Sequence, residues 1–268
     1  MGKLGGRELS ADSDLDLMIV YEGEEGAQTW FSRFAQRLIS ALSAPTEEGE
    51  LYEVDMQLRP SGKAGPVAVR LARFGQYYFD EAWTWELMAL TRARAIAGDV
   101  EAGDAVMAAI EAALCKLRPS ETLLSDARAM RERLEAAKPA RTEWDIKARI
   151  GGLQDIEFIA QILQLVTARA GLPVRNSTTS AFAALAQAGA VTPSDAAFLT
   201  ESVHLYLNIA QLLRAAHGTG FDPEGASSGF TKLLASLAGV EDLDEVRARL
   251  DVRCLKVRAL FNRYLPAS

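Results

Sequence analysis

The segment GGRELSADSDLD, residues 5–16, decides how the first part of this chain is interpreted. Two adjacent glycines are followed, after a short polar loop, by Asp14 and Asp16 with a single leucine between them. The sequence then turns fully apolar before Glu22, which is typical of a strand that becomes buried along its length. Because side chains alternate along a strand, the pattern predicts that both carboxylates lie on the same face.

Two like charges on one face repel each other unless a positive charge lies between them. Mg²⁺ is the usual partner, because it takes oxygen ligands and shares its remaining positions with phosphates. Gly5 and Gly6 carry no side chain, so the backbone there can approach a polyphosphate and turn its amides toward it. The segment therefore predicts a site for a cation and a phosphate, with an exposed acidic turn as the open alternative.

A second predicted strand, residues 51–59, supplies a third acid. LYEVDMQLR alternates apolar and polar residues and ends at a proline followed by the loop SGKAG. If this strand lies beside the first, Asp55 joins Asp14 and Asp16 around the same metals. Three acids around two ions are suited to the transfer of a phosphoryl-type group, with Asp55 placed to accept a proton from the attacking hydroxyl.

The rest of the chain has helical periodicity. We predict helices over residues 28–42 and 79–97, and a helical bundle from about residue 100 onward. The apolar stripes of the bundle are Leu123, Ala127, Met130 and Leu134; Ile156, Ile159, Leu163 and Val166; Leu199, Val203, Tyr206, Ala210 and Leu213; and Val246, Leu250, Cys254, Val257, Phe261 and Tyr264. The predicted fold is thus α+β, with one domain over residues 1–99 and a helical domain over residues 100–268.

Charge and hydropathy disfavour two classes of partner. The 268 residues carry a formal net charge of −7, which disfavours a nucleic-acid-binding protein, because such proteins present a basic face. No apolar run approaches the roughly 20 residues of a membrane span. We expect a cytoplasmic protein that binds neither nucleic acid nor membrane.

Four blocks of this sequence resemble the glutamine synthetase adenylyltransferase family and occur in the family's order: GKLGGRELSADSDLDLMIVY, YEVDMQLRPSGKAGP, DEAWTWELMALTRARAIAGD and DIKARIGGLQDIEFIAQILQL. These enzymes resemble two tandem nucleotidyltransferase units, each with a helical bundle. One half attaches AMP to a tyrosine of glutamine synthetase, and the other removes it by phosphorolysis. AWTWE and the aspartate of GGLQDIEF are more similar to the C-terminal, AMP-attaching half.

The resemblance implies a nucleotidyltransferase domain of the polymerase-β type over residues 1–99, followed by an all-α helical bundle, with two Mg²⁺ ions as cofactors and ATP as substrate. The implied roles are triphosphate binding for Gly5, Gly6 and Ser13, metal binding for Asp14 and Asp16, metal binding and base catalysis for Asp55, and phosphate contacts for Lys3 and Arg59. For these last two cations, a solvated or salt-bridged side chain remains the alternative.

Two further blocks carry charged residues. Arg92 and Arg94 lie about 200° apart if residues 79–97 form a helix, so we expect at most one to face the site, and we favour a solvated or salt-bridged side chain for both. Asp155 begins another predicted helix, with Lys147 as its expected partner. We expect that block mainly to dock the bundle onto the catalytic domain, with a contribution to the acceptor site as the alternative.

In the family a hydrophobic strand runs directly into the GKLGG block, whereas here Met1 precedes it. The resemblance therefore implies a unit truncated at its N-terminus that lacks the first strand of its sheet, and we expect self-association to cover the exposed edge.

The implied function is Mg²⁺-dependent transfer of AMP from ATP to a tyrosine of glutamine synthetase, which regulates nitrogen assimilation. Glutamine synthetase and a PII-type nitrogen-signalling protein are the expected partners. The alternatives are phosphorolytic removal of AMP and an inactive fragment that binds glutamine synthetase. A nucleic-acid polymerase of the same superfamily is disfavoured by the acidic composition.

Overall fold

The chain forms two compact units. The computed structural model describes residues 1–10, 13–47, 49, 52–168, 174–218 and 220–267. The first unit comprises Met1–Arg118 and Thr167–Ser177, and the second comprises Pro119–Val166 and Thr178–Ser268. The predicted boundary at residue 99 falls inside the first unit, and the assignment of residues 1–99 and 100–268 as catalytic and bundle domains stays a prediction.

The first unit combines short strands with helices. Its elements are α1 (Gly2–Gly6), β1 (Leu15–Asp16), β2 (Ile19–Tyr21), α2 (Gln28–Leu42), β3 (Val54–Asp55), β4 (Ala68–Arg70), α3 (Leu71–Asp80), α4 (Thr84–Leu90) and α5 (Val100–Cys115). Strand β1 pairs in parallel with β3, and β2 pairs in parallel with β4. The strand predicted over residues 14–22 is therefore two short strands, because the chain changes its pairing partner after Asp16. Of the second predicted strand only β3 forms, and Leu51 lies outside the described residues.

Helix α2 confirms the helix predicted over residues 28–42. A small core holds it against the strands: Tyr21, Ala35 and Ala68 are buried, with Ile19, Ala27, Phe31 and Val67 packed against them. Phe34 and Leu42, which share an apolar stripe of α2 with Phe31, are exposed. Strands β2 and β4 have three residues each and extend about 10 Å, whereas α2 extends about 22 Å, so the strands cover only part of the stripe.

The single helix predicted over residues 79–97 is wrong. Helix α3 ends at Asp80, and the backbone at Trp83 is extended before α4 begins. The Glu86 carboxylate accepts hydrogen bonds from the backbone N–H of Trp83 and from the hydroxyl of Tyr77, both at 2.8 Å. A buried acid therefore starts a new helix where periodicity alone continues the old one. Helix α5 then packs along α3 within the first unit.

The described elements of the second unit are all helices. Its helices are α6 (Ser120–Ala137), α7 (Leu153–Thr167), α8 (Thr178–Gln187), α9 (Pro193–His217), α10 (Ser228–Ala238) and α11 (Leu243–Tyr264). The four predicted stripes lie on α6, α7, α9 and α11, and most of their members are buried, which confirms them as core. No helix in the described stretches combines the length and apolarity that a membrane crossing requires.

A buried ion network joins three helices of this second unit. The Asp155 carboxylate on α7 is fully buried and accepts hydrogen bonds from Arg131 Nε on α6 at 2.5 Å and from Arg258 Nη1 on α11 at 3.1 Å. Glu135 lies 3.4 Å from both guanidinium groups. Within the described residues the cations bonded to Asp155 are these arginines, so the expected pairing with Lys147 is wrong.

We predict that Asp155→Ala lowers the free energy of unfolding of the second unit by about 3–5 kcal/mol, because two arginines lose the buried charge that compensates them. Asp251 is the matched control, since its pair with Arg149, at 2.7 Å, has a half-exposed carboxylate. Asp251→Ala is expected to cost less than about 1 kcal/mol. Urea unfolding followed by circular dichroism measures both, and equal losses would contradict the assignment of Asp155 as the centre of this unit.

Candidate functional site

Two of the predicted acids face each other across the β1–β3 pair. Asp16 of β1 is the direct partner of Asp55 of β3 in the parallel register. The backbone N–H of Leu15 donates to the carbonyl of Glu53 at 2.7 Å, and that of Leu17 donates to the carbonyl of Asp55 at 2.9 Å. Side chains of partner residues in register share a face of the sheet. The pairing of strands that the sequence argument required is therefore present.

The three predicted acids interact electrostatically. Burial raises the pKa of the Asp16 carboxyl, and the carboxylates of Asp55 and Asp14 raise it further. The amino group of Met1 and the Arg92 guanidinium act in the opposite direction, with a smaller effect than burial. The surroundings of Asp16 thus disfavour its ionised form. A bound cation would stabilise that ionised carboxylate.

A chain of hydrogen bonds leads from α1 to these acids. Lys3 Nζ donates to the Ser10 hydroxyl at 3.1 Å, and the hydroxyls of Ser10 and Ser13 are 2.9 Å apart. The backbone N–H of Ser10 also donates to the Ser13 hydroxyl at 2.9 Å. Ser13 is buried directly before Asp14. The structure therefore joins Lys3 and Ser13, both predicted to contact phosphate, through Ser10, which the sequence argument did not select.

The two predicted phosphate-loop glycines lie in α1 and are buried. A Cβ placed on Gly5 would meet the carbonyl oxygen of Arg92 at 1.9 Å, and one on Gly6 would meet the Arg92 guanidinium at 2.4 Å. The missing side chains allow α1 to pack directly against the segment that follows α4. The contact with a triphosphate implied for these glycines stays a prediction.

Both arginines of TRARA contact the α1 region. The Arg92 guanidinium forms a salt bridge of 2.5 Å with Glu8. Arg94 donates from Nε to the carbonyl of Gly5 and from Nη2 to the carbonyl of Leu4, both at 3.1 Å. The helix on which both were expected is absent there, because α4 ends at Leu90. Arg92 is salt-bridged, which is the favoured alternative, and the expectation that at most one of the two arginines faces the site stays a prediction.

Arg59 organises the loop that follows β3. Its three kinds of nitrogen donate to backbone carbonyls: Nη1 to Met56 at 2.6 Å, Nε to Gly65 at 3.1 Å and Nη2 to Lys63 at 3.3 Å. The side chain is buried. These bonds fix the shape of the SGKAG loop, and the implied phosphate contact of Arg59 stays a prediction.

Comparison with known proteins places this geometry in a family. Residues 1–109 match the family model of glutamate-ammonia ligase adenylyltransferase, and residues 124–264 match that of GlnD PII-uridylyltransferase. Over 99% of its length the chain is 41% identical to the bifunctional glutamine synthetase adenylyltransferase/adenylyl-removing enzyme of Rhodopseudomonas palustris strain BisB5 and 42% identical to that of Xanthobacter autotrophicus. This chain belongs to the glutamine synthetase adenylyltransferase family. It spans 28% of the length of each of these relatives.

The relative in Rhizobium meliloti carries the same name and is 41% identical over the whole of this chain, again with 28% of the relative covered. All of the predicted site residues lie within residues 1–109, the part that matches the adenylyltransferase model. The match to the adenylyltransferase model therefore covers the region that contains the candidate site.

The carboxylates of the candidate site can be compared with the ligands that Mg²⁺ takes in proteins. Two carboxylates in register, one of them buried enough for its pKa to rise, fit a hard divalent cation in chemical kind. Asp55 Oδ1 accepts a 2.7 Å hydrogen bond from the backbone N–H of Gln57 and is thereby oriented by its own turn. In the described stretches no three His, Cys, Asp or Glu side chains converge as a set that could hold a metal ion. The three-carboxylate metal site stays a prediction.

We predict that Gly5→Ala destabilises the first unit by about 1–3 kcal/mol, because the added methyl group meets the backbone of Arg92 and α1 must move away. Gly26→Ala is the control, since no atom lies within 4 Å of the point that its added methyl group would occupy, and we expect a change within about 0.5 kcal/mol. Tryptophan fluorescence during urea unfolding suits this test, because all but one of the tryptophans lie in this unit. Equal stability of the two variants would contradict the packing described for α1.

Proposed function

We propose that this chain is the adenylylating unit of a glutamine synthetase adenylyltransferase, with a catalytic domain of the polymerase-β type. In this proposal it transfers AMP from ATP to a tyrosine hydroxyl of glutamine synthetase and so regulates nitrogen assimilation. The observation that carries the proposal is the register of Asp16 opposite Asp55, two residues after Asp14, inside the region that matches the adenylyltransferase family. The name of the relatives supports glutamine synthetase as the acceptor.

Asp14, Asp16 and Asp55 are the residues that would hold two Mg²⁺ ions. When bound, Mg²⁺ neutralises a triphosphate and lowers the pKa of an attacking hydroxyl. The raised pKa of Asp16 supports this role, because burial and the neighbouring carboxylates disfavour the ionised carboxylate, and a bound cation would stabilise it.

Asp55 would act as the general base. Its carboxylate accepts the proton of the tyrosine hydroxyl as the tyrosine oxygen forms a bond to the α-phosphorus of ATP. The bond from that phosphorus to the oxygen of the leaving pyrophosphate breaks, so the products are an adenylylated tyrosine and pyrophosphate. The hydrogen bond from the backbone of Gln57 supports this assignment, since it fixes the orientation of the Asp55 carboxylate.

The phosphate-binding part of the site would come from α1 and the loop after it. The chain Lys3–Ser10–Ser13 supplies one cation and two hydroxyls directly before Asp14. The backbone at Gly5 and Gly6 completes the contact with the triphosphate in this proposal, and Arg59 serves by shaping the SGKAG loop, with a phosphate contact of its own as its implied role.

Two partners and a compartment follow from the same reasoning. Glutamine synthetase is the acceptor, and a PII-type nitrogen-signalling protein is the proposed regulator. The second partner is supported by the match of residues 124–264 to a family named for uridylylation of PII. ATP and a metabolic enzyme as substrates support a cytoplasmic site of action.

The test is AMP transfer. The chain is incubated with glutamine synthetase, Mg²⁺ and ATP labelled at the α-phosphate, beside a variant with Asp14→Asn and Asp16→Asn. We expect label on a tyrosine of glutamine synthetase, and a rate at least about 100-fold lower in the variant, because the metal ligands are lost. Asp104→Asn, an exposed acid on α5, is the matched control and should transfer AMP at the unchanged rate.

Absence of label with the unchanged chain would overturn the adenylylating assignment. Inorganic phosphate is then added to adenylylated glutamine synthetase, and release of ADP is measured. ADP release would identify the chain as the phosphorolytic unit. Binding of glutamine synthetase without either reaction would identify it as an inactive binding fragment.

A further inference from the structure

The segment after α4, residues 91–94, holds α1 through two arginines. A single guanidinium, that of Arg94, donates to the carbonyls of both Leu4 and Gly5. These carbonyls lie at the C-terminal end of a short helix, where the Leu4 carbonyl also accepts from the backbone N–H of Arg7 at 3.3 Å. Arg92 pairs with Glu8, just beyond that helix. The planar fork of an arginine suits this double contact, which a lysine cannot reproduce.

The segment that carries these arginines is itself held by one side chain. Asn176 Nδ2 donates to the carbonyl of Ala93 at 2.6 Å and to that of Thr91 at 3.4 Å. Asn176 belongs to Thr167–Ser177, the stretch that returns to the first unit between two parts of the second. One amide therefore fixes the backbone on both sides of Arg92 and directly before Arg94.

Hydrogen bonds also connect α1 to the candidate site. The backbone N–H of Glu8 donates to the carbonyl of Lys3 at 2.9 Å, and the Lys3 ammonium donates to Ser10. Ser10 is hydrogen-bonded to Ser13, which directly precedes Asp14. A displacement of α1 therefore displaces the lysine and the two serines together.

We infer that Arg94 and Asn176 are positioning residues for the candidate site: Asn176 fixes residues 91–93, and Arg94 fixes α1 and thereby Lys3, Ser10 and Ser13. The inference rests on the proposed function, since those three residues are the ones proposed to meet the triphosphate. Neither positioning residue touches the reacting atoms. Asn176 lies more than eighty positions after Ala93 in the sequence, outside the part of the chain that matches the adenylyltransferase model.

Hydrogen–deuterium exchange tests whether Arg94 and Asn176 fix α1, and it does not require enzymatic activity. The variants are Arg94→Ala and Asn176→Asp, the second of which replaces a donor by an acceptor of the same size. We expect the amides of residues 2–10 and 13 to exchange about tenfold faster or more in both variants, with α3 and α5 unchanged. Unchanged exchange at those amides, or a uniform increase across the whole unit, would overturn the inference.

Two matched controls accompany these variants. Arg73→Ala removes an arginine whose pair with Glu81 is half exposed, and Asn208→Asp alters an exposed residue of α9. Both controls should leave exchange at residues 2–10 unchanged. An equal acceleration in the controls would show that loss of any arginine or asparagine has this effect, and the inference would fail.

The kinetic arm measures kcat/KM for AMP transfer. We expect a decrease of about tenfold or more in Arg94→Ala and Asn176→Asp, because groups displaced by a fraction of an ångström no longer meet the triphosphate. Arg94→Lys should recover part of the loss, since lysine donates to one carbonyl. Full kcat/KM in both variants of a chain that transfers AMP overturns the inference. If the unchanged chain transfers no AMP, the proposed function is refuted instead. Hydrogen–deuterium exchange then still shows whether Arg94 and Asn176 fix α1.

Discussion

The candidate site is built on one short pairing, in which Asp16 of β1 lies directly opposite Asp55 of β3. A parallel ladder of two residues contributes little stability by itself, and it brings two like charges together. Burial raises the pKa of Asp16, so the protein accepts an unfavourable charge at this point. The surrounding contacts fix the segments on either side of this pairing. Arg59 fixes the loop after β3, and Arg92 and Arg94 fix the helix before β1.

The second unit contains a buried acid whose charge is compensated by the protein itself. Asp155 is fully buried, and two arginines and the backbone N–H of Gly151 satisfy its carboxylate. Because its charge is compensated within the protein, Asp155 leaves nothing for a ligand to stabilise, and its role is to join α6, α7 and α11. Asp16 faces other carboxylates, and the Met1 amino group and the Arg92 guanidinium offset the effect of burial only in part, so a ligand of opposite charge would stabilise its ionised form. This contrast separates a structural acid from a candidate functional one.

Local periodicity predicted the elements whose form depends on local sequence. Helix α2 and the stripes on α6, α7, α9 and α11 follow from apolar spacing alone. The break between α3 and α4 depends on Glu86, which accepts from Tyr77 nine residues earlier, and periodicity does not reveal such a contact. The site is similar. Spacing selected Asp14, Asp16 and Asp55, whereas Ser10 and Asn176 gain their importance from partners that only the folded chain brings near.

We propose that the acids of the first unit bind a nucleotide through Mg²⁺. Calorimetric titration of the chain with a non-hydrolysable ATP analogue, with and without Mg²⁺, tests this proposal. We expect Mg²⁺ to strengthen binding to the unchanged chain by about tenfold or more, and Asp16→Asn to abolish this gain. The same gain in the Asp16→Asn variant, or binding that is indifferent to Mg²⁺ in the unchanged chain, would contradict it.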